Sequence, residues 1–378
     1  MRRTISVFLA LTLLWLFASG TVVAAQETTI EGYCGLERNP SSVIWTLTND
    51  GLLTISGNGE MTNYTGSPWY DENGYLHDLI CEIRIEEGVT SIGSFAFSNC
   101  PNLERVLIPA SVQEIHIDAF THCPKLQQIL VSEDNIRYYD VDGVLFDNSY
   151  EYFTGGQFIN VTALAAWPGG RAGTYSVPSN VDIILEGAFA GASGLTSVCL
   201  PAGLKDIEGN PFEYCSTLES ITVDSNNTRY YDIDGVLFDN QYGVYNNILG
   251  NCTVNALESY PCARRGAYSI PDGTVDLADR CFCGSQYLTQ LFIPESCVSC
   301  GGEELEGCNA LTEVKVADGN TNLYDLDGAL CSKEAGTIWG DRGPALIFYP
   351  RMRTGAYSVP EGIRSIGVIA FSDCALSE

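Results

Sequence analysis

Apolar residues recur along most of this chain with a period of 23 residues. In the line that starts at Val106, the apolar positions are Val106, Ile108, Val112, Ile115, Ala119-Phe120, Cys123 and Leu126. The same frame returns in lines that start at Ile83, Ile129, Tyr175, Val198, Ile221, Tyr268, Leu291, Val314 and Tyr357. A fixed period of this length predicts a repeat architecture.

Each line contains two kinds of spacing. The first part alternates, as in Val106-x-Ile108-Pro109, which predicts a short strand with two side chains directed inward and a proline at its end. The spacing from Val112 to Cys123 is nearer three to four residues, which indicates a turn followed by a short helical or irregular return.

One such line is too small to fold by itself. Burial of its seven or so apolar side chains stabilises the line by less than the free energy that ordering its backbone and side chains costs. Stacked lines cover one another's apolar faces, so the pattern predicts a solenoid of short parallel strands.

A longer period of 92 residues lies over the first. The segment 138–146 returns as 230–238, and a weaker copy starts at Tyr324. In the first two copies Asp142-Gly143 and Asp234-Gly235 separate apolar runs, which is typical of a tight hairpin turn. We therefore predict a hairpin-bearing variant unit in the stack.

These variant units cover 132–174, 224–267 and 317–356. Each is expected to return through an apolar run, and the three runs are Ala163–Pro168, Leu257–Pro261 and Ala345–Pro350.

Residues 26–82 do not follow the frame. Trp45–Thr48, Asn49-Asp50-Gly51 and Leu52–Ile55 predict a strand, a turn and a second strand. Because a solenoid needs a terminal cap over its first open face, this segment is predicted to be an N-terminal β cap for a solenoid over 83–378. Cys34 and Cys81 flank it and are a candidate disulfide pair.

The line from Val106 to Leu126 resembles the BspA-like class of leucine-rich repeats. The Asp-Gly-Val-Leu-Phe segments and the opening Cys34-Gly35, Trp45-x-Leu47 and Pro68-Trp69 are similar to that family as well. The resemblance covers about residues 30–378. It implies a leucine-rich-repeat solenoid, secreted or on a microbial cell surface, that serves adhesion. The family has no shared catalytic residue, so we do not expect an enzyme.

The sequence stops at Glu378 within a repeat, with no cap or anchor after it. We expect an array truncated within its last repeat, with an open last unit as the alternative. An alternative hypothesis on function depends on this truncation: the solenoid is the targeting region of a secreted enzyme whose catalytic domain lies beyond residue 378.

The first 25 residues have the composition of a secretory signal peptide. Arg2 and Arg3 precede the apolar run from Ile5 to Phe17, and Val23-Ala24-Ala25 is a candidate cleavage site. The mature chain then has 17 basic and 47 acidic residues. This charge excludes nucleic acid as a partner, and we expect no membrane span in the mature chain.

The sequence has fifteen cysteines, which are candidates for disulfides, a metal site or a catalytic thiol. Cys281, Cys283, Cys297 and Cys300 have a spacing similar to that of zinc ligands, but the frame places Cys297 and Cys300 at inward positions. We expect buried thiols or a local disulfide there, and no metal or cofactor. His122 adjoins Cys123, but neighbours on such a segment point apart, so no catalytic pair is expected.

The odd positions of the strands are expected to face outward. The outward column predicted as the ligand-binding surface consists of Arg84, Leu107, Leu130, Thr222, Phe292 and Lys315, with Cys199 among them. Its apolar members favour an interaction site for an extracellular protein or glycan.

Overall fold

The computed structural model describes residues 29–65, 69, 76–116, 118–246, 250–333, 343–372 and 374. The predicted signal peptide lies outside these residues. The chain divides into two compact units, Met1–Leu145 and Phe146–Glu378.

The first unit contains ten short strands, and an eleventh crosses the boundary. They are β1 (Thr29–Tyr33), β2 (Val43–Thr48), β3 (Leu52–Gly57), β4 (Gly59–Glu60), β5 (Glu82–Ile85), β6 (Val89–Ile92), β7 (Arg105–Ile108), β8 (Glu114–Ile115), β9 (Gln128–Val131), β10 (Tyr138–Val141) and β11 (Val144–Thr154).

The second unit continues with seventeen strands. They are β12 (Gln157–Ala166), β13 (Ala172–Ser176), β14 (Ile183–Ile184), β15 (Gly194–Leu200), β16 (Asp206–Ile207), β17 (Ser220–Val223), β18 (Tyr230–Ile233), β19 (Val236–Asn246), β20 (Gly250–Ser259), β21 (Gly266–Ser269), β22 (Asp276–Leu277), β23 (Leu288–Ile293), β24 (Glu313–Val316), β25 (Leu323–Leu326), β26 (Ala329–Ser332), β27 (Ala345–Phe348) and β28 (Ser365–Ile366).

Helix is scarce in the described part of the chain. It consists of one α-helical turn, α1 (Leu76–Leu79), and two 3-10 turns, Pro40–Ser42 and Glu303–Leu305. Each unit is therefore a stretch of β-solenoid, which confirms the predicted fold class of short parallel strands with irregular returns.

The first strand forms as the alternation predicts in every line except the last, which starts at Tyr357. Val106 and Ile108 are buried and Leu107 between them is half-buried. In the first unit the sheet order is β1-β2-β3-β5-β7-β9, and β5, β7 and β9 run parallel. The β2–β3 hairpin precedes them, and β3 pairs with β5 in parallel.

The return of several lines contains a second short strand that the spacing alone does not indicate. In the first unit β4, β6 and β8 form a separate three-stranded sheet, with Ser91 opposite Glu114. In the second unit β12, β14 and β16 pair in the same parallel manner. A strand of two residues gains its hydrogen bonds only from the neighbouring turns of the solenoid, so a single line carries no clear signal for it.

The core between the two sheets is a column of aromatic rings. Phe97 stacks on Phe120 with 5.9 Å between ring centroids in the first unit, and Phe189 stacks on Phe212 at 5.1 Å in the second. All four side chains are buried. This column is the Ala-Phe position of the 23-residue frame.

The hairpin insertions form where the longer period places them. β18 and β19 pair with Tyr230 opposite Asp239 and Ile233 opposite Val236, which leaves Asp234-Gly235 as a two-residue turn. Both turn residues have positive φ, 51° and 76°, the geometry of a type I′ turn. The predicted return run of this insertion, Leu257–Pro261, begins within the last residues of β20. β20 pairs in parallel with β22.

Candidate functional site: the outward sheet face

The outward face of the first unit has two adjacent columns of side chains. The register places Glu82, Arg105 and Gln128 side by side in one column. The other column contains Thr54, Arg84, Leu107 and Leu130. The structure thus brings together the three predicted site residues Arg84, Leu107 and Leu130 on neighbouring strands.

A polar groove of about 570 Å³ lies on this face. Its lining residues are Asp50, Leu52, Cys81, Glu82, Arg84, Glu104, Arg105, Gln127 and Gln128. Glu82 accepts hydrogen bonds from Arg84 Nη2 at 3.2 Å and from Arg105 Nε at 3.2 Å. Both guanidinium groups stay about half exposed, so they keep donors for a partner while Glu82 fixes their position.

Beside the groove the face is apolar. Leu107 and Leu130 lie directly opposite each other on β7 and β9 and are half-buried. Adjacent strands bring such side chains to about 5 Å from each other, so the two leucines form one continuous patch. A patch of this kind next to hydrogen-bonding groups is typical of an interaction site.

The second unit has its own outward face. Thr222 lies opposite Cys199 on β17 and β15, and its Oγ1 is 3.3 Å from the Cys199 Sγ. A shallow depression of about 340 Å³ includes both residues together with Ser176 and Asp224. Three small side chains, Ser176, Cys199 and Thr222, line this part of the face.

The remaining two predicted residues are neighbours as well. Phe292 lies opposite Lys315 on β23 and β24, and its side chain is 37% exposed. Lys315 Nζ is 3.4 Å from Glu313 and 3.7 Å from Asp325. The six predicted residues thus all lie on outward strand positions, three in each unit; their role in binding stays a prediction.

The candidate disulfide between Cys34 and Cys81 is wrong in this structure. Cys34 follows β1, where its N–H bonds to Val43, whereas Cys81 precedes β5, where its N–H bonds to Gly51. Val43 and Gly51 lie at opposite ends of the β2–β3 hairpin, and three strand spacings separate β1 from β5. A disulfide needs Cα atoms about 4.4–6.8 Å apart. Both Cys34 and Cys81 are free thiols.

The cysteines that resemble a zinc site are core residues. Cys281, Cys283, Cys297, Cys300 and Cys308 are all buried. Burial raises the pKa of the Cys297 thiol to about 12, which keeps it protonated and unreactive at neutral pH. In the described part of the chain, no group of three or more His, Cys, Asp or Glu side chains is arranged to hold a metal ion.

The cysteine at the fixed repeat position has a recurring role. Cys123 Sγ donates to the carbonyl oxygen of Phe97 at 3.1 Å, and Cys215 Sγ does the same to Phe189 at 3.1 Å. We call the buried thiols at this repeat position, Cys100, Cys123, Cys215 and Cys308, the ladder of cysteines. His122 precedes Cys123 in a left-handed conformation with φ of 58°, so its backbone belongs to the turn of the repeat.

The aspartates of the insertions support turn and strand geometry. Asp232 Oδ1 accepts the Val223 N–H at 2.9 Å and its Oδ2 accepts the Gly235 N–H at 3.3 Å. Asp140 repeats this arrangement with Val131 and Gly143. Asp140 and Asp232 are therefore turn-forming residues.

Two polar features escape the sequence reasoning. Asn227 Nδ2 donates to the carbonyls of Pro201 and Leu204 at 3.0 and 3.1 Å, and Asn135 and Asn320 make the equivalent bonds in their own lines. The only signal for them is recurrence at offsets of 92 and 93 residues.

The second feature is a buried carboxyl group in the second unit. Glu258 on β20 is buried, and its Oε2 has no hydrogen-bond partner. Burial, followed by the nearby charge of Asp239, raises the pKa of Glu258 to about 8. This side chain is therefore a neutral acid near neutral pH.

A stack of parallel 23-residue turns with an outward strand face defines a repeat-protein scaffold. The chain belongs to the family described as the BspA type leucine rich repeat region. Six copies match over residues 75–150, 172–264 and 260–326, together more than half of the sequence. Leucine-rich repeats form solenoids whose exposed strand faces serve as binding surfaces.

Several solved structures are similar to this chain. A leucine-rich repeat protein from Eubacterium ventriosum is 21% identical, covers 93% of this chain and 96% of its own, and has a TM-score of 0.46. A leucine rich cell surface protein from Faecalibacterium prausnitzii is 17% identical. The match covers 73% of this chain and 93% of that protein, with a TM-score of 0.36. The pneumococcal vaccine antigen PcpA is 16% identical. The match covers 89% of this chain and 79% of PcpA, with a TM-score of 0.41.

No curated protein matches the sequence. Within the described ranges, no helix has the length and apolar character needed to cross a bilayer.

Proposed function

We propose that the chain is a secreted or cell-surface adhesion module that binds an extracellular protein or glycan through its outward sheet face. The observation that carries the proposal is the face of the first unit. There the half-buried Leu107–Leu130 patch adjoins a groove with two partly exposed guanidinium groups.

This combination suits a macromolecular partner. The apolar patch gains free energy when it is covered, at about 25 cal/mol per Å². Arg84 and Arg105 add hydrogen-bond donors at fixed positions, because Glu82 holds both. The strand ladder keeps the face rigid, so little conformational entropy is lost on binding.

The proposal is tested with the purified chain against a panel of extracellular-matrix proteins and a glycan array. We expect saturable binding to at least one of them. The double variant Leu107→Ser with Leu130→Ser, and separately Arg84→Ala, should weaken that binding tenfold or more. The matched control is Ile136→Ser, because Ile136 is 87% exposed in the loop before β10.

Two results would contradict the proposal. One is the absence of saturable binding to every probe, and the other is an equal affinity for the face variants and the wild type. If only Ile136→Ser weakened binding, the site would lie on the loop side of the unit.

Secretion is tested separately, since it depends on residues 1–25. Expression of the whole sequence in a secreting bacterial host should place the protein outside the cytoplasm with an N-terminus at Gln26. Retention of Met1 in a cytoplasmic product would contradict this part of the proposal.

A further inference from the structure

Cys100 and Cys123 occupy the same repeat position in two successive turns of the first unit. The backbone rungs beside them are hydrogen-bonded: Phe97 N–H donates to Ala119 O at 2.9 Å and Asn99 N–H donates to Thr121 O at 3.0 Å. In a parallel arrangement these bonds place Cys100 directly opposite Cys123. Adjacent rungs of this kind are about 4.8 Å apart, within the Cα separation that a disulfide requires, about 4.4–6.8 Å.

The two side chains also meet. Both residues are buried, with 0% and 1% of their surface exposed. The neighbouring Cys123 thiol, followed by burial, raises the pKa of Cys100 well above its usual range. The thiols also donate to carbonyl oxygens, Cys100 to Ser98 and Cys123 to Phe97 and Thr121.

We propose that Cys100 and Cys123 are a dithiol modification site that closes to a disulfide and covalently links two successive turns of the first unit. The co-reactant is an external disulfide such as oxidised glutathione. Cys100 and Cys123 lose their two protons and two electrons and form one S–S bond, while the external disulfide is reduced to two thiols. No other atom is gained or lost.

The ladder itself provides the contrast for this pair. At the equivalent position Cys215 has Ala192 in the preceding turn, and Cys308 has Ser285. The rung bonds there follow the same pattern, from Gly191 N–H to Glu213 O and from Gly284 N–H to Glu306 O. Cys262 Sγ also donates to the Phe212 carbonyl, three residues before Cys215, so what distinguishes Cys100 and Cys123 is that both thiols lie at the 23-residue repeat position.

The link would act close to the outward face, although it does not depend on what that face binds. Cys100 precedes β7 and Cys123 precedes β9, the strands that carry Leu107 and Leu130. The closed loop contains about two dozen residues, and closing it restricts the unfolded chain, which stabilises the folded unit.

The test is refolding of the full chain from urea in a buffer of reduced and oxidised glutathione, since the buried thiols are accessible only during folding. After alkylation of free thiols, mass spectrometry should give a cross-linked peptide pair that contains Cys100 and Cys123. Reduction should lower the thermal midpoint of the first unit by roughly 5–10 °C.

The variants separate a specific pair from general oxidation. Cys100→Ser and Cys123→Ser should each abolish the cross-linked peptide pair and the reduction-dependent shift in the thermal midpoint, and Cys100→Ala is the second variant if the serine disturbs folding. Cys308→Ser should preserve both signals. The proposal is overturned if Cys100 and Cys123 are fully alkylated in the refolded protein, or if either is linked mainly to another cysteine.

Discussion

Arg229 binds a single carboxylate oxygen of Asp239 with two nitrogens, Nε at 3.0 Å and Nη2 at 2.8 Å. Asp239 is completely buried, and Arg229 also forms an ion pair with Asp206 at 2.7 Å. The pair spans a hairpin, because Arg229 precedes β18 and Asp239 lies on β19. The arginine therefore neutralises an acid that the strand register forces into the core.

The first prediction follows from this pair. Arg229→Met should lower the free energy of unfolding of the second unit by about 3–5 kcal/mol, because it leaves Asp239 buried without its counter-charge. Urea denaturation followed by circular dichroism measures the change. The double variant Arg229→Met with Asp239→Asn should recover part of the loss. A loss below about 1 kcal/mol in the single variant would show that water replaces the guanidinium.

The second prediction concerns pH and the buried acid Glu258. Its pKa is raised to about 8 in the folded state, from an ordinary value of 4.5. The folded protein thus keeps a proton that the unfolded chain releases, so stability falls as the pH rises from about 4.5 to 8 and levels off above it. The total effect is on the order of a few kcal/mol.

Glu258→Gln removes this ionisation and should flatten the stability profile between pH 5 and 9. Unfolding free energies across that range provide the measurement, and Glu219→Gln is the control because Glu219 is exposed. An unchanged slope in Glu258→Gln would show that Glu258 is not the source of the pH dependence.

The third prediction concerns the recurring asparagine. Asn227 donates to two carbonyls of the preceding turn and its Oδ1 accepts the N–H groups of Arg229 and Tyr230 at 2.9 and 2.8 Å. Asn227→Ala removes all four bonds and should cost about 2–4 kcal/mol, since each backbone group left without a partner is penalised. The neighbouring Asn226→Ala is the matched control, because Asn226 is exposed and bonds to the Asp224 side chain. Equal losses for the two variants in urea denaturation would contradict the structural role.

The fourth prediction concerns the hairpin turn. Gly235 has φ of 76°, and a Cβ atom there would lie 2.7 Å from the Ser220 Cβ. Gly235→Ala should therefore cost about 2–3 kcal/mol, part from the left-handed backbone and part from the clash. Gly155→Ala is the control, because Gly155 has φ of 58° but open space around it, so about 1 kcal/mol is expected. Thermal denaturation compares the two variants, and similar losses would mean that the β17 neighbour moves aside freely.

The repeat frame and the hairpin turns were predictable because they depend on local rules. Alternation of Val106, Leu107 and Ile108 specifies which side chains point inward, and Asp234-Gly235 specifies a turn with positive φ. The outward positions of Arg84 and Phe292 follow from the same alternation. The ladder of cysteines follows from the period itself, since residues 23 apart stand in register.

Other features depend on which segments become neighbours. The separation of Cys34 from Cys81 follows from the order of the strands in the sheet, which spacing along the chain does not reveal. The two-residue strands β6 and β8 exist because adjacent turns supply their hydrogen bonds. The raised pKa of Glu258 arises from burial beside Asp239, nineteen residues away in sequence.

The sequence by itself therefore determined the solenoid, its period, its hairpin insertions and the outward column of side chains. Only the tertiary structure decided the groove lined by Glu82, Arg84 and Arg105, the buried Arg229–Asp239 pair and the contact between the Cys100 and Cys123 side chains. The physical reason is that the period can be recognised from residue types along the chain. Burial, charge pairing and thiol contacts depend instead on distances between turns, which are set only when the turns stack.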